Sequence, residues 1–316
     1  MQFQPSREQR ELIESMDDAI ATILPINRWH ERDNESNADW RRLTDLGLFD
    51  ITRDAKAGGL GLGAVEEVLV VMALGRRLAS PSVFATFGSV HAVPISDTPD
   101  WARVAAAKGT ANGLMVLQDD DAQSVLVRTQ DDAELRYLET GHDMLAGNPW
   151  IDLISRPSSL GRLTGTFDIA ARRRLLLIDA AALTGLAEAA LTAAVEYSKL
   201  REQFGRPIGS FQAIKHHCAN MAVAARSASD LVTFAAVAID QERPDVAFLV
   251  DSAFFVAAEA AISNAAKNIQ IHGGIGFSAE SDAHLFVKRA QLLVALGGGV
   301  EASIDRVALS DLDVAT

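Results

Sequence analysis

A mostly helical chain in three consecutive parts is what the sequence predicts: a helical N-terminal domain, a small reduced β domain, and a C-terminal four-helix bundle. Three observations carry this. Apolar residues recur at helical spacing from Arg7 to Leu48. Short apolar runs separated by polar clusters fill the stretch from about 110 to 167. Long alanine- and leucine-rich segments occupy nearly everything after Ile169. The corresponding domains are 1–108, 109–167 and 168–316.

In the first part, Leu12, Ile13, Met16, Ile20, Ile23 and Leu24 form one amphipathic stripe, and Trp40, Leu43 and Leu46 a second. Pro25 breaks the first helix, and Asn37 or Asp39 is placed to cap the second. The run Gly58-Gly59-Leu60-Gly61-Leu62-Gly63 then precedes an apolar helix from Ala64 to Leu78. Glycines before a helix can admit a phosphate to its N-terminal amides. A dinucleotide fingerprint, however, needs a strand before the glycines and an acid about 20 residues later. The preceding stretch is helical and the later one reads Leu78-Ala79-Ser80-Pro81-Ser82, so a turn between helices is the simpler reading.

In the middle part, Leu114–Leu117, Val125–Val127 and Leu135–Leu138 alternate with clusters such as Asp119-Asp120-Asp121, the pattern of a small antiparallel β domain. In the last part, helices are expected over Leu175–Tyr197, from Phe211 or Gln212 to Asp240, from Val246 to Ile271, around Ala283–Arg289, and after Gly297-Gly298-Gly299.

Composition narrows function. The 316 residues hold 48% hydrophobic and 22% charged residues, with 29 Lys and Arg against 42 Asp and Glu, a net charge of -13. That field repels phosphate backbones and anionic lipid heads, so nucleic acid and membrane surface are excluded as general partners. The single cysteine, Cys218, excludes an internal disulfide and a thiolate metal cage and reads as a small apolar packing residue. His272 and His284 fall on different elements without a carboxylate cluster, which does not make a metal site. The N-terminus carries charge where a signal peptide would carry its apolar stretch, and no window approaches about 20 uncharged apolar residues, so a cytoplasmic protein is expected.

Two segments concentrate chemistry. Arg201-Glu202-Gln203-Phe204-Gly205-Arg206-Pro207-Ile208 is a rigid connector between two helices, rich in groups that bind a planar anion. An interhelical turn whose arginines pair with carboxylates is the alternative. Gln270-Ile271-His272-Gly273-Gly274-Ile275-Gly276-Phe277 is a glycine corner that lets backbone approach something flat or phosphorylated, or equally allows tight helix packing.

These two stretches resemble the C-terminal signatures of the acyl-CoA dehydrogenase family. Trp40-Arg41-Arg42-Leu43-Thr44-Asp45-Leu46-Gly47-Leu48-Phe49 and the glycine run at 58–63 resemble its opening domain. The resemblance implies the same three-part fold and FAD as cofactor. The implied reaction is removal of two hydrogens across the α and β carbons of an acyl-CoA thioester, with a base taking the α proton and the flavin accepting hydride. In the family the connector and the glycine corner reach across a subunit interface to a neighbour's FAD. Carried over by position, Arg201 contacts the pyrophosphate, Gln203 belongs to the same connector, and Phe204 and Gln212 line the adenosine side. Gln270, Gly273 and Gly274 pack against the cofactor.

The match fades in two places. Where the family's β domain carries a threonine-glutamate-proline stretch for its own flavin, this chain reads Gly113 through Gln118 and then Asp119-Asp120-Asp121, which repels a pyrophosphate; the only later tryptophan is Trp150. Where the family places its catalytic glutamate, this chain has Ala295-Leu296-Gly297-Gly298-Gly299-Val300 or Arg174-Leu175-Leu176-Leu177, leaving only Glu301 and the displaced Asp179. The catalytic residue is therefore unassigned. A retained trans-acting half-site beside an eroded cis-acting one implies a subunit that completes the FAD site of a homologous catalytic partner. Related short forms act as α2β2 assemblies on sterol side-chain or dicarboxylic thioesters. An electron-transfer flavoprotein is a candidate acceptor. A homo-oligomeric dehydrogenase with an unusual base, and a flavin-free acyl-CoA-binding scaffold, are the alternatives.

Overall fold

Ser6 opens the first helix, α1 (Arg7–Ile23), through a capping box in which its hydroxyl accepts from the Gln9 amide while the Gln9 side chain accepts from Ser6 N–H. The computed structural model describes residues 6–31, 35–94, 103–110, 113–117, 121–129, 132–138, 142–145, 154–157 and 161–309. Helix α2 (Asn37–Asp45) is capped not by Asn37 or Asp39 but by Ser36, with Asp39 as its reciprocal partner three residues on. The hydroxyl one position earlier has the extended backbone a cap requires.

After the glycine run come α3 (Ala64–Arg76) and α4 (Pro81–Ser89). The N-terminal amides of α3 hold no phosphate site: the Asp240 carboxylate takes the Ala64 and Val65 N–H groups at 2.7 and 3.2 Å. The glycines form the turn between helices. A Cβ on Gly63 would meet Asp240 Oδ2 at 2.6 Å, so that close approach needs glycine.

The sheet has the strand order β1-β8-β5-β4-β2-β3-β7-β6, built from β1 (Val93–Pro94), β2 (Val104–Thr110), β3 (Gly113–Leu117), β4 (Ser124–Arg128), β5 (Ala133–Tyr137), β6 (His142–Leu145), β7 (Ile154–Pro157) and β8 (Leu163–Thr166). It departs from the antiparallel expectation at one pair: β2 and β4 run parallel, with Ala106 opposite Leu126. Strand β3 pairs with one side of β2, so the chain returns to place β4 on the other side in the same direction as β2. The boundary expected between 108 and 109 falls inside β2. Its Val104-Ala105-Ala106-Ala107 is buried on both faces, and an alanine run carries little strand signal.

The bundle consists of α5 (Ile169–Leu200), α6 (Gln212–Asp240), α7 (Val246–His272) and α8 (Ala283–Leu296), followed by α9 (Val300–Leu309) packed on α7. Asp168 caps α5 by accepting the Ala171 amide at 2.8 Å. Helices α3 and α5 meet backbone to backbone: a Cβ on Gly185 would stand 2.0 Å from the Met72 carbonyl, and one on Gly75 2.2 Å from the Ala182 carbonyl. Cys218 packs beside Met221 and Ile271 in a small apolar cluster, where burial pushes its thiol up.

The expectation that no stretch approaches a membrane span does not hold. By length and composition, α5, α6 and the run Val246–Phe277 each contain a window apolar enough, with mean hydropathies of 1.6, 1.4 and 1.8. In α5, 72% of that window is buried inside the protein, so its apolar character is that of a core helix.

Candidate functional site

Helix α5 ends at Arg201, whose N–H still donates to the Tyr197 carbonyl at 2.8 Å while its backbone has turned extended. The next residues form a miniature hairpin, β9 (Glu202–Gln203) against β10 (Arg206–Pro207). Its two-residue tip is Phe204-Gly205, with φ of 54° and 77°. Two left-handed residues in succession are the signature of a tight type I′ turn, which aims Phe204 outward, 92% exposed. The Arg206 guanidinium lies 4.2 Å over the Phe211 ring, and Phe204 meets Phe211 edge-on at 6.0 Å.

Opposite this elbow, α7 ends in a 3-10 turn over Gly273–Phe277. Gly273 has φ 67° and ψ -142°, a conformation available to glycine alone without strain. His272 stacks on Tyr197 with centroids 4.0 Å apart, and its Nδ1–H donates to the Asn268 carbonyl at 2.9 Å. Elbow and corner together line an open cavity of about 490 Å³.

The structure thus brings together Arg201, Gln203, Gly273 and Gly274 as walls of one cavity, with Tyr197, Ile208 and His272 between them. Phe204, Gln212 and Gln270 do not line it; like the other four they are exposed, on the same end of the bundle. Arg201 takes part in no ion pair among the described residues, and Arg206 stacks on an aromatic ring. The alternative of a turn whose arginines pair with carboxylates is thereby not what forms. An unpaired guanidinium, an exposed amide whose nitrogen donates to the Glu202 carbonyl at 2.7 Å, and two glycines where an added Cβ would meet nothing fit the phosphates and nucleoside of a dinucleotide.

A second cavity, also about 490 Å³, opens where the sheet meets the starts of α5 and α7 and the end of α8. Lys108 of β2 and Arg128 at the end of β4 reach it from the sheet, Arg172 and Arg173 from α5, and Arg306 from α9. Beneath it, Arg128 is 2.6 Å from Asp179, a carboxylate on α5 that is almost wholly buried. Burial pushes the Asp179 carboxyl up, against the opposing pull of Arg128 and Lys108. Lys108 is pushed down by burial and by Arg128 and Arg306, with Asp179 opposing.

Neither residue considered for proton abstraction is free there. Glu301 is exposed on α9 and lies outside the cavity lining, and Asp179 is committed to Arg128. Of the lining acids, Asp251 pairs with Arg306 at 2.5 Å and Asp132 bonds the Ala133 amide at 2.8 Å. Below the ion pair only a residual space of about 20 Å³ remains, between Phe84, Leu126 and Leu293. Of the three aspartates, Asp121 faces Arg103 at 3.7 Å, while Gln118, Asp119, Asp120 and Trp150 lie outside the described residues.

Sequence reasoning missed this cation cluster. One signal was present: Arg172-Arg173-Arg174 stands within the first two turns of a helix, where the dipole disfavours positive charge. Arg174 is accounted for by Glu67, which is buried and bonds both Arg174 Nε at 2.5 Å and His91 Nε2 at 2.7 Å. Arg172 and Arg173 have no such partner among the described residues.

Comparison with known proteins adds to this geometry. Residues 6–98 match the model of the acyl-CoA dehydrogenase N-terminal domain and residues 172–310 that of the acyl-CoA dehydrogenase C-terminal domain. The acyl-CoA dehydrogenase IpdE2 of Mycobacterium tuberculosis is 33% identical over 263 residues, covering 79% of each protein. The acyl-CoA dehydrogenase FadE34 of the same organism is 31% identical over 309 residues; the match takes in 86% of this chain but 42% of that one. Among solved structures, the ChsE4–ChsE5 complex from Mycobacterium tuberculosis superposes with a TM-score of 0.72 at 21% identity, over 98% of both chains.

Proposed function

The chain belongs to the acyl-CoA dehydrogenase family, and from that premise we propose that it serves as the subunit completing the FAD site of a homologous catalytic partner. The family is one of oxidoreductases acting on CH–CH bonds with FAD as cofactor. FAD supplies the hydride acceptor of that oxidation. The residues of the elbow and corner fit its outer part: Arg201 would neutralise the pyrophosphate, Gln203 would donate to it, and Gly273 and Gly274 would let backbone approach.

The observation that carries the proposal is the contrast between the two cavities. The elbow cavity is open, with its cation unpaired. The other cavity, where this family performs its chemistry, is floored by the Arg128–Asp179 pair; of its two lining carboxylates Asp251 is paired with Arg306 and Asp132 is exposed at the rim, accepting the Ala133 amide. Abstraction of an α proton needs a base within hydrogen-bond reach of that proton, and a carboxylate locked to a guanidinium is a poor one. The ChsE4–ChsE5 neighbour is itself a complex of two named chains, which is in keeping with a heteromer.

Expression of the chain alone and together with its genomic neighbours, followed by native mass spectrometry, tests the reading. Little flavin on the isolated chain and a flavin-bearing mixed tetramer are expected. Stoichiometric FAD and dehydrogenation by the isolated chain would overturn it. One observation favours a self-sufficient enzyme instead: the Asp179 carboxyl is pushed up by burial, as a base's often is. Under that reading Asp179→Asn abolishes turnover by the isolated chain.

A further inference from the structure

Asn264, Asn268 and His272 follow one another at four-residue spacing and so share one face of α7. Asn264 is buried, and its Nδ2 donates to the Ala187 and Met221 carbonyls at 3.0 Å each, which staples α7 to α5 and α6. Asn268 is wholly buried one turn on. The stripe then surfaces at His272, which stands half-buried in the wall of the elbow cavity. Buried amides in an alanine-rich bundle cost stability, and a local rule broken in this way is expected beside a functional site.

The His272 ring is fixed on two sides. It stacks on Tyr197 with the planes 21° apart, and its Nδ1 lies 2.9 Å from the Asn268 carbonyl. A carbonyl only accepts, so Nδ1 carries the hydrogen and, in the neutral ring, Nε2 carries the lone pair. Nε2 has no partner among the described residues. The rest of the lining offers few acceptors. Arg201 only donates, the Tyr197 hydroxyl donates at a long 3.4 Å to the His272 carbonyl, and no carboxylate lines the cavity among the described residues.

We propose that His272 is a further cofactor-binding residue of this cavity, its Nε2 accepting a hydrogen bond from a donor on the nucleoside half of the dinucleotide, the adenine amine or a ribose hydroxyl. The inference rests on the reading of elbow and corner as an FAD half-site. Within that half-site Arg201 and His272 differ in what they recognise. The guanidinium holds phosphates, which only accept, and does so for any pyrophosphate. The imidazole selects a nucleoside that presents a donor, and a nucleoside lacking one leaves Nε2 unsatisfied.

Binding of FAD, and of etheno-FAD in which the adenine amine is closed into a ring, to the flavin-depleted mixed complex tests the proposal. His272→Phe keeps a ring on Tyr197 and removes the acceptor. It should weaken FAD about five- to tenfold while the unfolding midpoint of the isolated chain stays unchanged. His272→Leu gives the same reading should the phenylalanine variant misfold. If the amine is the donor, the parent prefers FAD to etheno-FAD and the variants do not; if a hydroxyl is, the parent holds both alike and the variants weaken both. FAD held by the His272 variants as tightly as by the parent would overturn the inference, and so would a loss matched by a fall in the unfolding midpoint of both, since packing alone then explains it. Arg201→Gln separates the two readings: weaker FAD in that variant alone leaves the half-site standing without His272, and no loss in any variant removes both. Should the isolated chain hold flavin unaided, the partner-subunit reading falls, and the same comparison on that homo-oligomer still decides His272.

Discussion

Gly297, at the end of α8, rests directly on Asp179: a Cβ added to the glycine would stand 3.2 Å from the aspartate Oδ2 and 2.2 Å from the Phe254 ring. The connector that in this family approaches the substrate is therefore seated on a buried carboxylate already held by Arg128. Three groups on α5, α7 and α8 are locked against one another, with the sheet supplying the fourth.

Removing one partner of that buried pair strands the other. Asp179→Asn or Arg128→Met alone should cost about 3–5 kcal/mol, whereas Asp179→Leu with Arg128→Met together should be close to neutral. Chemical denaturation of the four proteins gives both numbers. A small effect in the single variants would mean that solvent reaches the pair.

Two buried carboxylates should pull acid stability in opposite directions. Glu67 faces a burial penalty but is held below the usual glutamate range by His91 and Arg174, so its contribution is present above the unfolded value and lost as pH falls through the folded one. Asp179 is pushed above its ordinary value, so the folded state takes up its proton first and stability falls as pH rises between the unfolded and folded values. Denaturation midpoints from pH 3 to 7 should show a shallower acid limb for Glu67→Gln and the loss of the opposing slope for Asp179→Asn.

Gly185→Ala should destabilise the chain by about 3 kcal/mol, because the new methyl meets the Met72 carbonyl and two helix backbones must separate. Gly274→Ala serves as the contrast. Its Cβ meets nothing, so the unfolding midpoint should stay within about 0.5 kcal/mol of the parent, while flavin retained by the assembled protein falls.

Phe204 occupies the left-handed region and is almost fully exposed, a combination that costs the isolated chain backbone strain with no burial in return. Asn tolerates that backbone better. Phe204→Asn should leave the isolated chain as stable as before or slightly more so, and should weaken association with whatever covers the elbow. Analytical ultracentrifugation alongside thermal unfolding separates the two effects.

Much of this was legible in the sequence because helices announce themselves locally. The stop at Arg243-Pro244, the start at Gln212 and the α1 stripe all follow from spacing and breakers, and the observed helices begin or end within a residue or two of them. The elbow and corner were legible as motifs, though only coordinates bring Arg201 and Gly274 to one cavity. The sheet was less so, since nothing local says that β4 returns beside β2 in parallel. Long-range charge pairing was least visible. Glu67 sits in an apolar run between Val65 and Val68, which hinted at a buried partner, but Arg174 lies 107 positions away.

One consequence follows from α5 being a single rod of 32 residues. Leu175 borders one cavity and Arg201 the other, and the 26 residue steps from one to the other rise about 39 Å. At about 8 Å of screening length in physiological salt, a charge arriving at one end is electrically silent at the other. Any conversation between the two ends must be mechanical, a tilt or slide of the whole rod.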